Sequence, residues 1–85
     1  MFIYLLWHHG EYGPEGLTAT TDRNKILSIA EKYNKDGWFE SVGSDPMAKL
    51  NDLLKNGDEA LAEGDGIHNL MDGWGGLHIQ VVKAI

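Results

Sequence analysis

Phe2, Ile3, Tyr4, Leu5, Leu6 and Trp7 form an almost unbroken apolar run that ends in His8. Aromatic and branched side chains at this density suit an extended chain, and the absence of alternation predicts a central strand over 2–8 that is covered on both faces. The next stretch, GEYGPEG, carries turn chemistry: its glycines are free to take positive φ, and Pro14 presets its own φ. LTATT, 17–21, then alternates apolar and hydroxyl residues as a short second strand. Residues 2–21 therefore read as a hairpin with a long loop.

From Asp22 the period changes. Ile26, Ile29, Ala30 and Tyr33 recur at helical spacing behind a capping residue at Thr21 or Asp22. Lys32 and Lys35 occupy the last turn, where they complement the helix dipole, and Gly37 stops the helix. WFESV, 38–42, reads as a short edge strand or an extended connection, with the strand favoured. SDPMAKLNDLLKNG follows with a capping residue, Pro46 in the first turn, an apolar stripe of Met47, Leu50, Leu53 and Leu54, and a stop at Gly57, which together predict a second helix. DEALAEG has room for a further helical turn or two. DGIHNLMDGWGG, 65–76, shows no clear period and reads as an ordered loop. In LHIQVVKAI, Leu77, Ile79 and Val81 alternate with His78 and Gln80, the signature of a closing strand with one buried face.

The expected architecture is α+β: a small, mainly antiparallel sheet of three to four strands in the order β-β-α-(β)-α-β, with two helices packed on one face. At 85 residues the chain has interior enough for one domain, spanning 1–85. Neither a repeat nor a linker interrupts it. An apolar fraction of 42% beside 24% charged residues fits a folded globular chain and not a disordered one.

The absence of cysteine excludes disulfide frameworks, thiolate metal sites and cysteine nucleophiles. The opening MFIYLLW lacks a basic region and a small-residue cleavage site, so it reads as a strand and not as a signal peptide. Nothing approaches the roughly 20 apolar residues of a membrane span. A soluble, cytoplasmic protein is the expectation. The net charge of −6 argues against direct nucleic-acid binding, because phosphate contacts require Lys or Arg. The charge is unevenly placed: no Lys or Arg precedes Arg23, and none lies between Lys55 and Lys83. Those two stretches hold Glu11, Glu15, Asp22, Asp58, Glu59, Glu63, Asp65 and Asp72, together with His8, His9, His68 and His78.

The adjacent His8 and His9 form a poor metal pair, because neighbouring strand residues point to opposite faces. Zinc needs three or four converging ligands, and Glu11, His68 or His78 would have to complete such a set. The simpler account is a polar strand end, and no metal or other cofactor is assigned. Strand order decides whether more is at stake. If the first and last strands pair antiparallel, the end of one lies beside the start of the other. All four histidines would then share a surface with Glu11, Tyr12, Asp65, Asp72 and Trp74, acidic at neutral pH and less so as histidine protonates near its ordinary pKa of about 6.5. If they run parallel, the cluster dissolves.

Other site patterns fail. An EF-hand loop starting at Asp65 would place Ile67 at its third position and Gly76 at its twelfth, where oxygen ligands belong. GWGG precedes a strand instead of opening a helix, so it is not a phosphate loop. Trp74 either folds back on the core or stands out as an aromatic anchor for a partner. Ser28, Ser41 and Ser44 have no nucleophile elbow around them, and Asp58-Glu59 reads as a solvated pair favoured by a helix dipole. No catalytic residue is assigned.

YLLWHHGEYGPEGL followed by TDRNKILSIAEKY, about residues 3–34, resembles a loose class of small bacteriophage proteins in which a first strand ends in a polar residue, a YGxEG-like turn leads to a second strand, and a helix follows. The resemblance implies a phage accessory protein and no specific activity. The leading expectation is thus a small acidic, non-enzymatic protein that binds and modulates or inhibits a host protein in the host cytosol, presenting its negative surface to a basic groove. The alternative is a homo-oligomeric module, a homodimer for example, that sequesters a small molecule or nucleotide using Trp74, Tyr12 and the histidines. A metal-dependent enzyme is the third reading.

Overall fold

The computed structural model describes residues 1–10, 13–35, 46–70 and 77–84, with the backbone alone at 9, 10, 13–15, 34 and 46. Four strands, β1 (Phe2–Gly10), β2 (Gly13–Thr20), β3 (Ile67–Asn69) and β4 (Leu77–Lys83), form one antiparallel sheet in the order β2-β1-β4-β3. Among the described residues the helices are α1 (Ile26–Lys35), entered through a 3-10 turn at Arg23–Lys25, α2 (Pro46–Leu53) and the short α3 (Asp58–Leu61). The α+β expectation is met. The strand read at 38–42 lies outside the described residues.

The apolar run of β1 does place it between two neighbours, β2 and β4. Its two faces are not equally covered, however. Tyr4, Leu6 and His8 are buried, whereas Ile3, Leu5 and Trp7 are only half-buried. The run is apolar on both sides because one side meets the core and the other forms a hydrophobic surface. Across the sheet, the register sets Leu6 beside Ile79 and Tyr4 beside Val81. Leu77, Ile79 and Val81 join Tyr4 and Leu6 in one cluster with Ile26, Ala30 and Tyr33 of α1, Leu50 of α2 and Leu61 of α3.

Two local readings change. The hairpin loop is short, not long: Gly10 pairs with Gly13, so only residues 11 and 12 separate the strands. The Gly-Pro chemistry that reads as a loop serves instead to bend a strand. Leu6 pairs with Thr18 but His8 pairs with Glu15, which places an extra residue on β2. Gly16 takes φ +64° there, the left-handed conformation of a glycine bulge. The second change lies in the stretch read as a loop, 65–76, where Ile67–Asn69 forms β3 against β4. Three residues are too few to show a period, and tertiary pairing creates this strand.

Asp22 caps the 3-10 turn, its carboxylate accepting from the Asn24 amide at 2.9 Å. Arg23 then reaches across the fold to Asp58 and to the carbonyl oxygens of Leu54 and Asn56. The Tyr4 hydroxyl donates to the second Asp58 oxygen at 2.9 Å. Asp58 is therefore not the solvated helix-start residue expected of it: its carboxylate ties β1 to the 3-10 turn and to the start of α3. Burial, then the hydrogen bond and charge of Asp58, raise the Tyr4 pKa above its ordinary 10.0.

Candidate partner-binding surface

The condition set by the sequence is satisfied: β1 and β4 pair antiparallel, with His8 beside Leu77 and Trp7 beside His78. The histidines nevertheless separate. Alternation sends His8 to the buried face and His78 to the opposite one. His68, opposite Ile79 on β3, shares the buried side but belongs to the far edge of the sheet. The single histidine-rich surface is corrected to separate environments for the three described side chains. The side chain of His9 and residues Glu11, Tyr12, Asp72 and Trp74 lie outside the described residues.

His8 is 3% exposed. Its ring meets that of Tyr33 edge-on, with centroids 6.0 Å apart and planes at 70°. A Cβ on Gly16 would stand 3.0 Å from His8 Cδ2 and 3.4 Å from Tyr33 Cε1, so the bulge glycine makes room for both rings. The Tyr33 hydroxyl donates to the Gly16 carbonyl and lies 2.6 Å from Thr18 Oγ1. Sequence reasoning assigns Tyr33 to the helix stripe and misses Gly16 and Thr18; the usable signal is that a buried tyrosine hydroxyl needs partners.

His68 donates from Nε2 to the Leu61 carbonyl at 2.7 Å, which fixes its tautomer and ties β3 to α3. Asp65 is exposed, and its carboxylate accepts from the Ile67 amide at 2.9 Å. His78 bonds through Nδ1 to the side-chain oxygen of Asn69 and stacks on Trp7, with centroids 5.5 Å apart and planes at 20°. Among the described residues, no three His, Asp or Glu side chains are grouped to hold a metal ion. Likewise, none of the described helices is long and apolar enough to cross a membrane.

Set against protein-family models, curated proteins and solved structures, the chain matches none of them. What distinguishes the molecule is the face that carries Trp7 and His78. By register it comprises Ile3, Leu5 and Trp7 of β1, Leu17 and Ala19 of β2, His78, Gln80 and Val82 of β4, and Ile67 and Asn69 of β3. No Asp, Glu, Lys or Arg stands among these residues, in a chain of net charge −6. Leu17, Ile67 and Val82 are 66%, 42% and 36% exposed. Isolated exposed apolar residues are ordinary, but several on one sheet face with no charged residue among them make this face the candidate surface.

A second feature adjoins this face. Lys49, Asp52 and Leu53 of α2, Asn56 just beyond it, and residues 67–70 line a groove of about 550 Å³. Ile67 and Asn69 thus belong both to the sheet face and to the groove. The Asp52 carboxylate is engaged by Lys55 at 3.1 Å, an exposed pair.

Proposed function

We propose that this chain is a non-enzymatic interaction protein that binds another protein through the uncharged face of its sheet. The observation that carries this reading is that face itself: exposed Leu17, Ile67 and Val82 around half-buried Ile3, Leu5 and Trp7, without a charged side chain among its described residues, on a strongly acidic molecule. Charge depletion marks the core of an interface, and the net charge of −6 favours long-range steering toward a basic partner. The likeness of residues 3–34 to phage accessory proteins directs the proposal to a bacterial host protein, which the chain would modulate or inhibit.

Affinity capture from bacterial lysate tests the proposal when the wild type is run beside a face variant, Leu17→Glu with Val82→Glu. Lys25→Glu on the exposed 3-10 turn controls for the change of charge, because each arm makes the chain more negative by two. A partner retained by wild type and Lys25→Glu, but depleted about tenfold by the face variant, supports the reading. Equal recovery in all three contradicts it.

A further inference from the structure

The sheet has two edges, and they differ in what they offer. The β2 edge carries Pro14, which has no amide hydrogen, and a bulge at Gly16; both features resist the addition of another strand. The β3 edge is built differently. Val81 donates to the Gly66 carbonyl at 3.0 Å and Leu70 donates to the Leu77 carbonyl at 2.8 Å, so the even-numbered residues of this segment turn their backbone groups toward β4. By antiparallel alternation, the backbone groups of Ile67 and Asn69 turn outward. The Asp65 carboxylate takes the Ile67 amide. That leaves the Ile67 carbonyl and both backbone groups of Asn69 without a partner among the described residues, as a donor and acceptors on the outer edge.

We infer that the partner contributes an extended, lysine- or arginine-bearing segment that adds to β3 as a fifth strand and lies in the groove against α2. This rests on the protein-binding proposal above and names how the partner engages. Strand addition draws its affinity from main-chain hydrogen bonds and its specificity from pockets for alternate side chains. Asn69 can exchange both backbone bonds with one residue of the incoming segment, and the Ile67 carbonyl accepts from the next residue of the same parity. Leu53 and Leu70 give the groove apolar wall, and Ile67 and Asn69 make it continuous with the uncharged face.

Charge selects the segment. Glu63 and Asp65 precede β3, both exposed, and neither has a cationic partner among the described residues. Lys49 is the cation on the groove wall, and Asp52 beside it is already paired with Lys55. With −6 over the whole chain, a basic segment is drawn to this edge and an acidic one is repelled.

The probe is an eight-residue peptide of alternating lysine and valine, capped at both ends, titrated into the ¹⁵N-labelled full chain. The sign-reversed glutamate-valine peptide is the control. The expected result is a shift of the Asn69 and Leu70 amides with the lysine peptide only, and at least a tenfold slowing of Asn69 amide exchange. Both variants lose the side-chain bond from Asn69 to His78; Asn69→Ala keeps the outward amide and should bind, whereas Asn69→Pro removes that donor without touching the β3–β4 backbone hydrogen bonds and should weaken binding at least tenfold. Equal binding by Asn69→Pro, or shifts confined to residues away from 67–70, overturns the inference. The wild-type exchange measurement decides the matter even if the proline variant fails to fold. The titration needs no host partner, so it fails or succeeds independently of the capture experiment.

Discussion

The two faces of the sheet are made from alternate residues of the same strands, yet one is consumed by the core and the other stays half-buried or exposed among the described residues. On the first, Tyr4, Leu6, Leu77, Ile79 and Val81 cluster with helix residues from α1, α2 and α3. On the second, Leu5, Trp7 and Val82 are as apolar in kind but remain half-buried or exposed. Hydrophobicity alone does not distinguish them. What distinguishes them is the helix stripe available to cover each: Ile26, Ala30 and Tyr33 complete one face. A continuous apolar run in a strand therefore reports two hydrophobic faces without saying what covers each.

The largest effects should come from the covered face. Leu6→Ala or Ile79→Ala, at fully buried positions, should cost about 2–5 kcal/mol, whereas Leu17→Ala on the other face should stay within about 1 kcal/mol. Thermal denaturation reads this as a gap of roughly 10 °C or more, at about 4–8 °C per kcal/mol for a domain of this size. If Leu17→Ala is as damaging as Leu6→Ala, the second face is core and the contrast collapses.

Next in size is the attachment of β3, tested by two glycines of similar φ. Gly66 and Gly64 take φ +69° and +67°, but a Cβ on Gly66 would fall 2.2 Å from the Val81 carbonyl oxygen, while one on Gly64 meets nothing within 4 Å. Gly64→Ala should cost only the left-handed penalty of about 1–2 kcal/mol. Gly66→Ala should cost clearly more, since backbone cannot yield as a flexible side chain does, and should broaden the amide signals of 67–70. Equal midpoints in denaturant for the two variants would break this account of how β3 is seated.

The smallest effect is that of the Tyr4–Asp58 hydrogen bond, and pH separates it from packing. Tyr4→Phe should cost about 1 kcal/mol near neutrality. Because burial and Asp58 raise the folded pKa of Tyr4 above its ordinary 10.0, the protonated phenol is favoured in the native state. Its contribution is complete below the unfolded value and is lost as pH rises through the folded one. The stability difference between wild type and Tyr4→Phe should therefore shrink above about pH 10; a difference that stays constant to higher pH denies the phenol this role.

The sequence makes much of this fold legible, for identifiable reasons. The strands at 2–8 and 77–83 and the helix from Ile26 announce themselves through composition and period, and the antiparallel pairing of first and last strands is the condition under which their ends meet. β3 is illegible because three residues carry no period, and its existence depends on β4. Gly16 misleads because a bulge glycine and a turn glycine use the same φ. The histidines look like a cluster in sequence and are divided by alternation: His8 is enclosed by Gly16 and Tyr33, His68 is held by the Leu61 carbonyl, and His78 lies against Trp7. Asp58 looks like a solvated acid because its partners, Tyr4 and Arg23, are 54 and 35 residues away. The charge-free face is visible only after register assigns alternate residues to one side.

The central claim is that this face binds protein, and it is tested most directly by quantifying one captured bacterial partner across wild type, the Leu17→Glu/Val82→Glu variant and Lys25→Glu, with thermal midpoints measured on the same preparations. The predicted result is a loss of about tenfold or more in partner recovery for the face variant alone, with its midpoint within a few degrees of wild type. Undiminished recovery by a folded face variant would contradict the claim.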